Sequence, residues 1–83
     1  DYSGTYQSST DDGEEVTFKV SSNGTLEADY ATTGNFQGAW SENNGYIDVT
    51  FNINGSPYTM VGILTDKGMA LINDSGVDIA ARN

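Results

Sequence analysis

The chain has no cysteine and no histidine, and these two absences exclude much of the chemistry a small domain can carry. Without cysteine there is no disulfide to staple a thin core and no thiolate to hold a metal, so packing alone must stabilise the fold. Without histidine the usual general base near neutral pH is missing, and so is the commonest nitrogen ligand. Cations are scarce as well. Lys19, Lys67 and Arg82 stand against twelve acids, a formal charge of -9. A field of that sign repels phosphate backbones and anionic headgroups, so neither nucleic acid binding nor membrane insertion is expected. No apolar run approaches the ~18 residues that span a bilayer as a helix. No stretch long enough for a helix escapes interruption by glycine.

The 83 residues suffice for a single domain, 1–83, near the lower end of what folds unaided, where only about 60% of the chain's surface is buried. The acidity suits a soluble exported domain or one that meets a cationic protein. Richness in Ser, Thr, Asn and Gly points the same way, to a secreted, periplasmic or cell-surface setting. With no start methionine and no apolar leader core, Asp1 is expected to be a processing or cut boundary.

Ten glycines, most beside Asn, Asp or Ser, punctuate the chain at the spacing of an all-β domain. The strands expected are about 2–8, 14–21, 25–32, 35–42, 46–53, 56–65, 69–73 and 77–82. Connections this short join antiparallel neighbours only. The expected fold is therefore an eight-stranded antiparallel up-and-down meander, enough strands for a small closed or nearly closed barrel.

Residues directly opposite in a hairpin share a face, so turn length sets which side chains point inward. Two-residue turns at Asn54-Gly55 and Asn44-Gly45 pair Phe51 with Tyr58, Val49 with Met60 and Trp40 with Val49. A three-residue loop at Ser22-Asn23-Gly24 pairs Val20 with Leu26 and sets Lys19 opposite Glu27. The same loop form at Thr32-Thr33-Gly34 would pair Tyr30 with Phe36 and Leu26 with Trp40. With Tyr58, Met60, Gly62 and Leu64 inward, Val61 and Ile63 must point outward, Ile63 opposite Tyr46.

The next turn, at Asp66-Lys67-Gly68, fits two or three residues. The two-residue choice is preferred. It puts Ile72 outside and is expected to align Val77 and Ile79 with Leu71 in the core, leaving Asp78 in water. An outer row of Tyr46, Ile63 and Ile72 results, flanked by Val61, Ala70 and Ala80. Large contiguous apolar patches are uncommon on monomers without a use. Tyr46, Val61, Ile63 and Ile72 are therefore the candidate residues for contact with a protein partner or a second copy.

No catalytic signature appears. Paired carboxylates could hydrolyse glycosides only if held at a defined separation in a cleft, whereas the acids here either alternate outward along strands, as Glu27, Asp29 and Asp48 do, or sit in turns. "TDDGEE" and "NDSGVD" place oxygen ligands around glycine turns, but neither has the EF-hand spacing, and Asp-Gly is also what a bare turn wants. No metal and no cofactor are expected. The glycosylation sequons at 23–25, 54–56 and 73–75 lie in turns whose composition already accounts for them. The aromatics Tyr6, Phe18, Tyr30, Phe36, Trp40, Phe51 and Tyr58 fall on the inward face, with Val16, Val20, Leu26, Val49, Met60, Leu64, Leu71 and Ile79. A barrel of eight strands holds little more than its own side chains or one small ligand.

"SGTY" at 3–6, opening the first strand and followed by hairpins such as "VTFKVSSNGTLEADY", resembles the start of the calycins, the lipocalin and avidin group of eight-stranded meander barrels. In lipocalins the first strand carries Gly-x-Trp, whose Trp packs against an Arg near the last strand. Tyr6 stands here for the Trp, and Arg82 occupies the place of the Arg. The resemblance implies a meander barrel and, by extension, a carrier of a small apolar or sugar ligand with Tyr30, Trp40 and Tyr58 near the pocket. The function expected first is non-catalytic protein–protein contact; the carrier is the alternative.

Overall fold

Asn44-Gly45 and Asn54-Gly55 both take positive φ at each residue, 52° and 88° in the first and 53° and 82° in the second. That is the type I′ geometry whose twist matches the flanking strands, and it needs Asn and Gly because bulkier residues resist the left-handed region. These corners fix the middle of the sheet. The computed structural model describes residues 1–82 and contains β1 (Gly4–Ser9), β2 (Glu15–Val20), β3 (Thr25–Tyr30), β4 (Gly34–Asn43), β5 (Tyr46–Ile53), β6 (Ser56–Thr65), β7 (Gly68–Asn73) and β8 (Gly76–Arg82). Every neighbour is antiparallel, and the order β1 to β8 closes into an up-and-down barrel.

The register follows the expected turns at four hairpins. Val49 faces Met60 and Phe51 faces Tyr58; Trp40 faces Val49; Val20 faces Leu26 and Lys19 faces Glu27. At β6–β7 the turn is the two-residue Asp66-Lys67, so Val61 lies opposite Ile72 and Ile63 opposite Ala70.

Two hairpins depart from expectation. Between β3 and β4 the loop is Ala31-Thr32-Thr33, pairing Tyr30 with Gly34, Ala28 with Phe36 and Leu26 with Gly38 rather than Tyr30 with Phe36 and Leu26 with Trp40. The Glu14 carboxylate holds this loop. It accepts hydrogen bonds from the Thr32 N–H and Oγ1 at 2.7 and 2.6 Å and from the Thr33 N–H and Oγ1 at 2.6 and 2.7 Å. Gly38, between Leu26 and Phe51 on the ladder, makes the shift possible. A methyl there would lie 2.6 Å from the Thr50 carbonyl oxygen and 2.7 Å from the Phe51 ring.

Between β7 and β8 a two-residue turn at Asp74-Ser75 pairs Asn73 with Gly76, and the Asn73 Oδ1 accepts the Ser75 N–H at 2.8 Å. A change of one residue in register turns every side chain to the other face. Val77 and Ile79 thus oppose Ile72 and Ala70 on the outside instead of joining Leu71 in the core. Ala80, expected to flank the outer patch, faces inward against Met69 and is wholly buried. Asp78 lies opposite Leu71 and is exposed even so, because the barrel is open at that level.

The core is Tyr6, Val16, Phe18, Val20, Leu26, Ile47, Val49, Phe51, Met69 and Leu71 with smaller Ala28 and Ala80, and Tyr2 at one end. Each large side chain buried contributes on the order of 1.5–3 kcal/mol. Around Tyr2 the chain seals that end of the barrel. Tyr6 Oη donates to the Tyr2 carbonyl at 2.7 Å, and Tyr2 Oη donates to the Gly45 carbonyl at 2.9 Å. The Arg82 guanidinium lies 5.2 Å from the Tyr6 ring centroid and donates to the carbonyls of Asp1 and Ser3. A side chain at Gly4 would crowd that guanidinium, at 3.3 Å from its Nη2.

Candidate interaction surface

Alternation along β5 to β8 builds two rows of side chains on the outer wall. One runs Asp48, Val61, Ile72, Val77, each opposite the next. The other runs Ile63, Ala70, Ile79, and the β5–β6 register extends it to Tyr46. Ile63 is 40% exposed, Ile79 50% and Val77 64%, while Tyr46, Val61, Ala70 and Ile72 are half-buried among their neighbours. Among the described residues no helix or long loop lies over these rows. Tyr46, Val61, Ile63 and Ile72 thus share one face. Val77 and Ile79, expected in the core, extend that face to the last strand. The signal that could have found them is Asn73: its side chain closes a two-residue turn at Asp74-Ser75.

The surface is apolar but not isolated from charge. Asp48 ends one row, Asp74 caps the β7–β8 turn, and Asp78 projects between Val77 and Ile79 on the opposite side of β8. All three cations sit at or beside the other end of the barrel: Lys19 next to the end of β2, Lys67 in the β6–β7 turn, and Arg82 over Tyr6.

A second feature occupies the barrel mouth on the side of the β3–β4, β5–β6 and β7–β8 connections. A cleft of about 470 Å³ there is bounded by Tyr30, Phe36, Phe51, Tyr58 and Met60, with Phe18 at its base. Tyr30 and Phe36 meet edge to face, their centroids 5.6 Å apart. Burial first, then the negative charges of Glu14 and Asp78, push the Tyr30 phenol above its ordinary pKa, so it stays a neutral donor well past pH 7. Tyr58 is half-exposed at the rim although it shares the inward face.

Of the three expected pocket residues, Tyr30 and Tyr58 come together at this mouth and Trp40 does not. Its ring lies 6.4 Å from that of Tyr2, and its indole N–H donates to the Ser21 carbonyl at 2.8 Å, both at the sealed end. Among the acidic turns, the Glu14 carboxylate is occupied by the β3–β4 loop and Asp12 bonds the Thr10 hydroxyl. Among the described residues no three carboxylates converge as a cation site would require. Comparison of the chain with protein-family models, curated proteins and solved structures finds no match.

Proposed function

We propose that this chain is a non-catalytic β-barrel module that works outside the cytoplasm by protein–protein contact, assembling with itself or binding another protein through the outer wall of β6, β7 and β8. One observation carries the reading: Ile63, Ile72, Val77 and Ile79 form a continuous apolar surface over adjacent strands, with half or more of Val77 and Ile79 in water. Covering such side chains with a partner contributes in the way core burial does, on the order of 1–2 kcal/mol for each well-packed aliphatic group.

Sedimentation velocity of the wild-type chain and of Ile63→Lys tests it. The wild type should associate, or retain its partner, and the variant should lose that contact while keeping its far-UV spectrum and melting temperature. Ionic strength then separates the two forms of contact. Self-association between chains of charge -9 strengthens as salt rises from about 0.05 to about 0.5 M, whereas binding to a cationic protein weakens. A variant that unfolds would assign Ile63 to the core and end the proposal.

The cleft at the mouth favours a second reading, a carrier of one small apolar or sugar ligand. Its volume of about 470 Å³ is that of ordinary ligand sites, and tyrosine faces with a neutral phenol suit a sugar ring. Tyrosine resonances should report it. A ligand bound there shifts Tyr30 and Tyr58 and leaves Trp40 silent; shifts confined to Trp40 would contradict it.

A further inference from the structure

We infer that the gap between β1 and β8 is a strand-acceptor site for an extended peptide segment that alternates apolar and basic residues. This rests on the reading that the β8 side of the barrel meets a protein, and it names how the partner is held.

The barrel closes by a short seam. Among the described residues, β1 and β8 pair only at Tyr6 with Arg82 and Gln7 with Ala81, whereas β7 and β8 pair continuously from Gly68 with Ala81 to Asn73 with Gly76. From Ala80 back to Gly76, β8 has no partner on β1 among the described residues. A cleft of about 380 Å³ spans the seam there, bounded by Ser8, Ser9, Glu15, Asp78 and Ile79, and a second of about 220 Å³, based on Phe18, Tyr30 and Leu71 at the barrel mouth, reaches Asp11, Val77 and Asp78.

Hydrogen-bonding groups alternate sides along an antiparallel strand. The two-residue turn makes Asn73–Gly76 a bonded pair, so Asp78 and Ala80 bond towards β7, while the N–H and C=O of Val77 and Ile79 point into the gap. Just past β1, the Thr10 N–H donates to the Glu14 carbonyl on the β2 side, which by the same alternation turns the backbone of Ser9 towards β8. Unpaired groups in such a row are a template for another strand.

The chemistry of the occupant follows from the two faces of β8. A strand added to this edge sets every second side chain beside Val77 and Ile79 on the outer wall, where apolar groups extend the existing rows. The side chains between them fall on the inner side of β8 beside Asp78, with Asp11 close by, where a cation is favoured in a chain of charge -9. A second copy of this chain is a poor occupant. Antiparallel pairing of two β8 edges about Asp78 would set carboxylate against carboxylate, which is destabilising, and this chain's three cations all lie towards the far end.

The test is titration of the full isotope-labelled chain with a capped heptapeptide of alternating valine and lysine, followed through backbone amide shifts. The result expected is perturbation centred on Ser9, Val77 and Ile79, with affinity falling about tenfold or more when the peptide's valines are N-methylated or its lysines are replaced by glutamate. Val77→Pro should weaken binding to the same degree, because it removes an N–H that faces the gap and leaves the β7 ladder whole; a melting curve checks that the barrel is intact. Ile63→Lys should leave peptide affinity within about twofold, so the sedimentation result for that variant judges the outer-wall reading separately. No binding of the valine–lysine peptide, equal binding of the N-methylated peptide, shifts centred on Tyr58, or a dimer that protects the Val77 and Ile79 amides would overturn the inference.

Discussion

Glu14 shows how much one side chain can determine. Its carboxylate accepts four hydrogen bonds from Thr32 and Thr33, which favour the ionised form and lower its pKa from 4.5 to about 2. Because the folded-state value lies below the unfolded one, the stabilisation is fully present above pH 4.5 and is lost progressively as pH falls towards about 2. Denaturant unfolding through that window should show an acid limb in the wild type that is flattened in Glu14→Gln; an unchanged limb would mean other carboxylates set it. Two glycines offer a second contrast. Gly38→Ala drives a methyl against a backbone carbonyl, whereas at Gly62 it meets only side-chain atoms of Ile47 and Met69, the nearest at 2.9 Å. Overpacking of this kind costs about 1–3 kcal/mol, and chemical denaturation should place Gly38→Ala at the upper end and Gly62→Ala at the lower.

At the scale of the strand, parity decides everything and exact register much less. The β3–β4 loop sits one residue earlier than the sequence suggested, which slides the pairing by two, yet Leu26, Ala28 and Phe36 keep their faces, since a shift in pairing by an even number preserves orientation. The β7–β8 hairpin differs by one residue, and that single step exchanged Ile79 for Ala80 in the core. Asn-Gly corners were legible because their backbone requirement is specific. The Thr-Thr-Gly loop was not, because what anchors it is Glu14, eighteen residues away from Thr32. The β7–β8 register was not legible because an aliphatic pair next to Leu71 suits a core, and apolarity alone does not say which side a β-branched residue faces. The outer row of Tyr46, Val61, Ile63 and Ile72 followed from turn lengths; its extension through Val77 and Ile79 did not. A pair of substitutions checks the revised register. Met69→Ala, at a fully buried site, should cost about 2–5 kcal/mol, and Ile79→Ser should stay within about 0.5 kcal/mol. Comparable losses from both would restore Ile79 to the core.

For the molecule as a whole, the charge of -9 is a uniform tax on compactness, since like charges repel more strongly in the folded chain than in the expanded one. Screening relieves it. The melting temperature near neutral pH should therefore rise between about 0.02 and about 0.3 M salt; a fall would mean that attractive pairs outweigh the repulsion. The same charge, with cations confined to one end and an apolar wall running to an open seam, directs the functional proposals towards one side of the barrel.

Those proposals share a single premise, that the aliphatic side chains of β6 and β8 look away from the interior while Met69 and Ile47 fill it. Methyl relaxation by a neutral soluble paramagnetic chelate measures this directly. Strong broadening of Ile63, Val77 and Ile79 with protection of Leu26, Ile47 and Met69 is the result predicted. Protected Ile63 and Ile79 methyls beside a broadened Met69 would contradict the account.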